Sequence, residues 1–87
     1  MIYFVIGTHI STIVDKLGKD KTINVTGSYG LKMLVEITTS YEYEFNGSIY
    51  KLILKFEDGT IQEITGMVKT WKCDTSITEL LSIEVKE

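Results

Sequence analysis

Proline is absent from this chain, cysteine and histidine occur once each, and no apolar run is long enough to cross a bilayer. Without proline there is no cis-proline turn and no residue that must interrupt a strand. The single cysteine, Cys73, cannot close an internal disulfide. A secreted domain of this size normally relies on several, so the expected setting is the reducing cytoplasm. The single histidine, His9, has no second His or Cys at ligand spacing, so neither a metal nor a cofactor is expected. The apolar start, Met1 to Ile6, is far too short for a transmembrane helix. It also lacks the basic segment and small-residue cleavage site of a signal peptide, and no membrane contact is expected. Positive charge is scarce as well. A net charge of −3 argues against direct binding to nucleic acid, which depends on neutralising phosphates. The one compact basic stretch, Lys16, Lys19 and Lys21, is broken by Asp15 and Asp20 and reads as a solvated loop.

What is present suits a folded protein. Hydrophobic residues make up 44% and charged residues 24% of the 87, a composition that excludes disorder and leaves room for one domain, residues 1–87.

The run Ile2 to Ile6, ended by Gly7, reads as a strand buried on both faces. Ile10, Ile13, Val14 and Leu17 follow at helical spacing, giving a short helix from about His9 to Leu17. Thr8 or Ser11 is placed to cap its start, and Gly18 stands where a left-handed residue ends a helix. Such a helix is too short to stand alone and must pack on a sheet. Thr22 to Thr26 alternates and is rich in β-branched residues, as a strand requires. Gly27-Ser28-Tyr29-Gly30 reads as a turn, and Leu31 to Phe45 as one long β-prone stretch bent near Thr38 to Ser40.

Asn46-Gly47 is the preferred pair for a two-residue hairpin loop. That loop sets Tyr43 opposite Tyr50, Glu42 opposite Lys51, Tyr41 opposite Leu52, Thr39 opposite Leu54 and Ile37 opposite Phe56. One face then carries Ile37, Tyr41, Tyr43, Tyr50, Leu52, Leu54 and Phe56, and the other a Glu42–Lys51 charge pair. Asp58-Gly59 marks a second hairpin. A two-residue loop there would put Leu54 against Glu63, so a bulge near Gln62 to Ile64, or a change of facing at Gly66, is expected. Ser76 to Glu79 has capping-box spacing, and Ile83 to Lys86 alternates as a last strand. The fold class expected is mainly β (α+β): an antiparallel sheet or partial barrel of about six strands with one short N-terminal helix.

No arrangement of residues calls for catalysis. Cys73 has an acidic neighbour, Asp74, which disfavours a thiolate, and the Gly-x-Ser-x-Gly elbow is missing. Glu42 and Glu44 share a strand face, but nothing drives a pair of carboxylate pKa values apart as acid–base work requires. Gly7, Thr8 and His9 lie at a strand–helix junction, where backbone N–H groups can hold an anion. An ordinary helix cap explains the same residues.

The aromatic residues exceed what so small a core needs. Trp71, Tyr41, Tyr43 and Tyr50, with Glu42, Glu44 and Glu63, make the candidate partner-binding set, since Tyr and Trp are frequent interface anchors. The expected function is a non-catalytic protein that occupies a surface of a larger protein. An acidic face of this kind can compete with nucleic acid for a basic groove. In size, acidity and lack of proline the chain is similar to the short viral and anti-defence inhibitors made by phages and mobile elements; no motif carries that likeness. The alternatives are an oligomeric binder, or sponge, for a small anionic ligand, and a homo-oligomeric subunit assembling through exposed strand edges.

Overall fold

The computed structural model describes residues 3–4, 8–44, 47–69 and 80–85. The fold class is as expected, mainly β with one short helix. The elements are β1 (Tyr3–Phe4), α1 (Ile10–Leu17), β2 (Thr22–Tyr29), β3 (Lys32–Glu44), β4 (Gly47–Phe56), β5 (Ile61–Lys69) and β6 (Leu80–Val85). They form one sheet in the order β1-β6-β2-β3-β4-β5, and every pairing is antiparallel. The long strands β2 to β5 are a simple meander, while β6 returns between β2 and β1. The facing of the Ile2–Ile6 side chains, the connection 45–46, Trp71 to Asp74 and the turn expected at Ser76 to Glu79 lie outside the described residues.

Helix α1 lies across β3, β4 and β5. Its spacing does what the sequence demands: Ile10, Ile13 and Val14 are fully buried, and Leu17 packs at the margin. Burying one such side chain contributes about 1.5–3 kcal/mol, which an eight-residue helix needs because it cannot hold itself together. The sheet supplies Val25, Leu34, Ile37, Leu52, Leu54 and Phe56 to the same core. Neither Thr8 nor Ser11 is the N-cap. That position is His9, in extended conformation and without a side-chain capping bond.

The only buried polar side chain among the described residues is Thr39. Its hydroxyl donates to the Gly18 carbonyl at 2.6 Å and accepts from the Lys21 N–H at 3.0 Å. Its own N–H donates to the Lys21 carbonyl at 2.7 Å. The turn leaving α1 is thereby tied to the middle of β3. Thr39 sits one step beyond the last β2–β3 pair, Thr22–Thr38, and its side chain accepts the bond that its own carbonyl would accept in a regular ladder.

Three turns differ from the sequence reading. Gly27, Ser28 and Tyr29 are not a turn but the end of β2, paired on both sides with β3 and β6. The turn is Gly30-Leu31, with Gly30 at φ 62, the positive value that a type II′ hairpin needs at its first central residue. In the β3–β4 hairpin the observed partners are Glu44–Gly47, Tyr43–Ser48, Glu42–Ile49, Tyr41–Tyr50, Thr39–Leu52 and Ile37–Leu54. This register is displaced by two residues from the one expected of an Asn46-Gly47 loop. The displacement is even, so every side chain keeps its face, but the Glu42–Lys51 pair is lost and Lys51 stands opposite Ser40. The bend in β3 falls at Val35, where the registers with both β2 and β4 shift, and it brings Leu34 opposite Phe56.

The third turn resolves the Leu54–Glu63 mismatch by itself. Gly59 donates to the Phe56 carbonyl and Phe56 to the Thr60 carbonyl, both at 3.0 Å, so the loop has three residues and not two. Gly59, at φ 86, is the left-handed residue that such a loop requires. Leu54 then faces Gln62 and Leu52 faces Ile64, and β5 runs against β4 with no bulge at Gln62 to Ile64 and no switch at Gly66. Asp58 Oδ1 accepts from the Thr60 N–H at 2.9 Å and the Thr60 hydroxyl at 2.5 Å, and Lys32 Nζ lies 3.5 Å from Oδ2.

Two outcomes test this account. Thr39→Val strips two backbone groups of their buried partner and should lower stability by about 2 kcal/mol. Thr38→Val, which removes only an exposed hydroxyl pair with Thr22, should stay within about 0.5 kcal/mol. Urea unfolding of both variants decides it. The Thr60 hydroxyl and N–H, helped by Lys32, hold the Asp58 carboxyl below its ordinary pKa. Its contribution is therefore complete above the unfolded pKa, about 4, and disappears as pH falls through the lower folded value. Thermal midpoints of Asp58→Asn and the parent chain should differ at pH 7 and converge at the acid end.

Candidate functional site

Side chains alternate across a strand, so the candidate residues divide between the two faces of the sheet. Tyr41, Tyr43 and Tyr50 project on the helix-bearing face, in line with Ile37, Thr39 and Leu52. Glu42 and Glu63 project on the opposite face. Glu44 holds the register position opposite Gly47. The tyrosines and the acidic residues do not form one surface. Trp71 lies outside the described residues.

The tyrosines continue the core past the point where α1 ends. Tyr41 and Tyr50 are direct cross-strand partners, their ring centroids 5.0 Å apart and edge-on at 62°. An edge-to-face pair of this kind contributes about 0.5–1.5 kcal/mol beyond its buried area. The Tyr41 hydroxyl shares a hydrogen bond with Ser48 Oγ at 3.0 Å. On the other side of Tyr50 stands Gly66, which brings no side chain to that row. Lys19, in the turn after α1, places Nζ 3.9 Å from the centre of the Tyr41 ring, a favourable cation–π contact. Tyr43 then steps clear of the packed pair, 78% exposed and opposite Ser48. The result is a graded aromatic surface: two rings held by packing, hydroxyl and ammonium, and a third presented to solvent.

Lys19 is the member that sequence reasoning missed. Read as part of a solvated charge run, it meets Tyr41 only because the Thr39 bonds fix the turn over β3. No periodicity in the sequence signals that contact.

The opposite face is mixed. Glu42 stands opposite Ile49, and Ile49 opposite Met67; Glu63 stands opposite Ile53. Lys51 Nζ, half-buried, is 3.9 Å from the exposed Glu63, a solvent-screened pair of the kind that contributes little. Lys55, Lys51 and Ile53 interleave with the carboxylates, so this face is not an unbroken acidic strip.

Of the anion-site residues, Thr8 is half-buried and His9 is the exposed N-cap of α1, while Gly7 lies outside the described residues. The first turn of α1 holds no acidic residue. Among the described residues no cluster of His, Cys, Asp and Glu is placed to hold a metal, and no helix is long and apolar enough to cross a membrane. Compared with protein-family models, with curated proteins and with solved structures, the chain matches none.

Proposed function

We propose that this chain is a non-catalytic binding module whose working surface is the tyrosine end of the helix-bearing face. The observation that carries this reading is Tyr43, 78% exposed beside the edge-to-face Tyr41–Tyr50 pair. An aromatic ring anchored on a rigid strand loses little conformational freedom on binding, and its hydroxyl can satisfy a polar group in the partner. Ser48 and Lys19 add hydroxyl and ammonium groups at the same place. A surface of this kind suits a larger protein better than a small ligand, because it is an exposed edge of the core and not a lined cavity.

Occupying a surface of a larger protein blocks whatever that surface does, so inhibition is the simplest consequence of such binding. The interleaved lysines on the opposite face favour the tyrosine surface over imitation of nucleic acid by Glu42 and Glu63.

The experiment is capture with tagged chain, identification of a protein recovered in near-equal amount, and affinity measurement with variants. Tyr43→Ala should weaken binding at least tenfold while leaving the thermal midpoint unchanged, and Glu63→Gln should leave binding intact. Normal binding by Tyr43→Ala would remove the tyrosine surface from consideration. Loss with Glu63→Gln alone would move the site to the other face.

A further inference from the structure

The edge of the sheet formed by β5 is built differently from the edge formed by β1. β1 is two residues long. β5 is nine, and its register with β4 is unbroken from Ile61 to Lys69. Natural edge strands are usually guarded by proline, a bulge, a central lysine or extreme shortness. Within Ile61–Val68 there is no proline, no bulge and one charged residue, Glu63. Among the described residues no strand lies beyond it.

The phase of the ladder follows from the turn. Phe56 is hydrogen-bonded to Thr60, so the pairs that exchange bonds with β4 are Leu54–Gln62, Leu52–Ile64 and Tyr50–Gly66. The N–H and C=O groups of Ile61, Glu63, Thr65 and Met67 therefore point away from β4. On the same residues are two large exposed apolar side chains, Ile61 at 64% and Met67 at 37%.

We propose that β5 is a dimerisation edge, and that two copies of this chain pair antiparallel about a two-fold axis through Ile64. In that register the outward-pointing groups of Ile61 meet those of Met67 in the second copy, and Glu63 meets Thr65. Each exposed Ile61 is covered by a Met67, twice per dimer. Ile64, half-buried at the margin of the core, meets its own counterpart as a close non-hydrogen-bonded pair. Neighbouring registers are poorer. An axis through Glu63 sets like charges against each other. One through Thr65 sets Ile61 against Lys69 and Glu63 against Met67. One through Gly66 carries Ile61 past the end of the second copy's strand. This proposal uses a surface separate from the tyrosine end and stands without it.

Sedimentation equilibrium of the full chain from about 5 to 500 µM should show the mass rising from one chain to two, as a small interface of modest affinity requires. Ile61→Glu with Met67→Glu places carboxylates opposite each other across both halves and should weaken association more than tenfold with unchanged circular dichroism. Ile61→Glu with Met67→Lys places opposite charges there and should restore the dimer. In a Cys73→Ser background, Ile64→Cys should oxidise to a linked dimer and Glu63→Cys should not. A single-chain mass throughout, association that survives the double Glu variant, or equal linking by Glu63→Cys would each overturn the proposal.

Discussion

A single hydroxyl settles where the helix lies. With no proline and no internal disulfide, packing and hydrogen bonds alone position α1, and an eight-residue helix has only about two turns with which packing can fix its place on the sheet. Thr39 adds to that hold. By accepting from Lys21 and donating to Gly18, it fixes the end of the helix over the centre of β3. Ile10, Ile13 and Val14 are then held above Ile37, Leu52 and Leu54 within one buried cluster, and Lys19 is delivered to the Tyr41 ring. A buried polar group is costly when unmatched. Here its matching is what makes one helix placement better than its neighbours.

The parts legible from sequence are those governed by periodicity. The 3.6-residue spacing of Ile10, Ile13, Val14 and Leu17 named the buried face of α1, and the alternation through β3 and β4 named the core residues Ile37, Leu52, Leu54 and Phe56. Register was not legible. A slip of two residues leaves the apolar pattern unchanged, so nothing in that pattern separates Tyr41 opposite Leu52 from Tyr41 opposite Tyr50. The Val35 bulge and the tyrosine edge contact belong to the observed register, and both are tertiary. Gly27 to Tyr29 read as a turn because glycine and serine are poor strand formers, yet pairing with strands on both sides overrides local preference. The separation of Tyr41 and Tyr43 from Glu42 was already present in their alternation. The place of Lys19 was not, because it depends on where a distant turn comes to rest.

The faces of the sheet consequently carry different chemistry. One is a core that runs out into the Tyr41–Tyr50 pair and the exposed Tyr43. The other mixes lysine, glutamate and isoleucine, with no described element packed over it. Their shared border is β5, whose buried Gly66 adjoins Tyr50 and whose Met67 adjoins Ile49.

The position of β6 has a consequence for how this molecule comes into being on the ribosome. Strands β2 to β5 are neighbours in sequence as well as in space, so the meander can assemble as it emerges, through short loop closures. Among the described strands β1 is made before the others and pairs only with β6, which is made after them. β1 must therefore wait until β2 to β5 and then β6 have been made before its hydrogen bonds can be met. Completion of the sheet is a late, long-range step, slow by nature and open to interception by any passing strand.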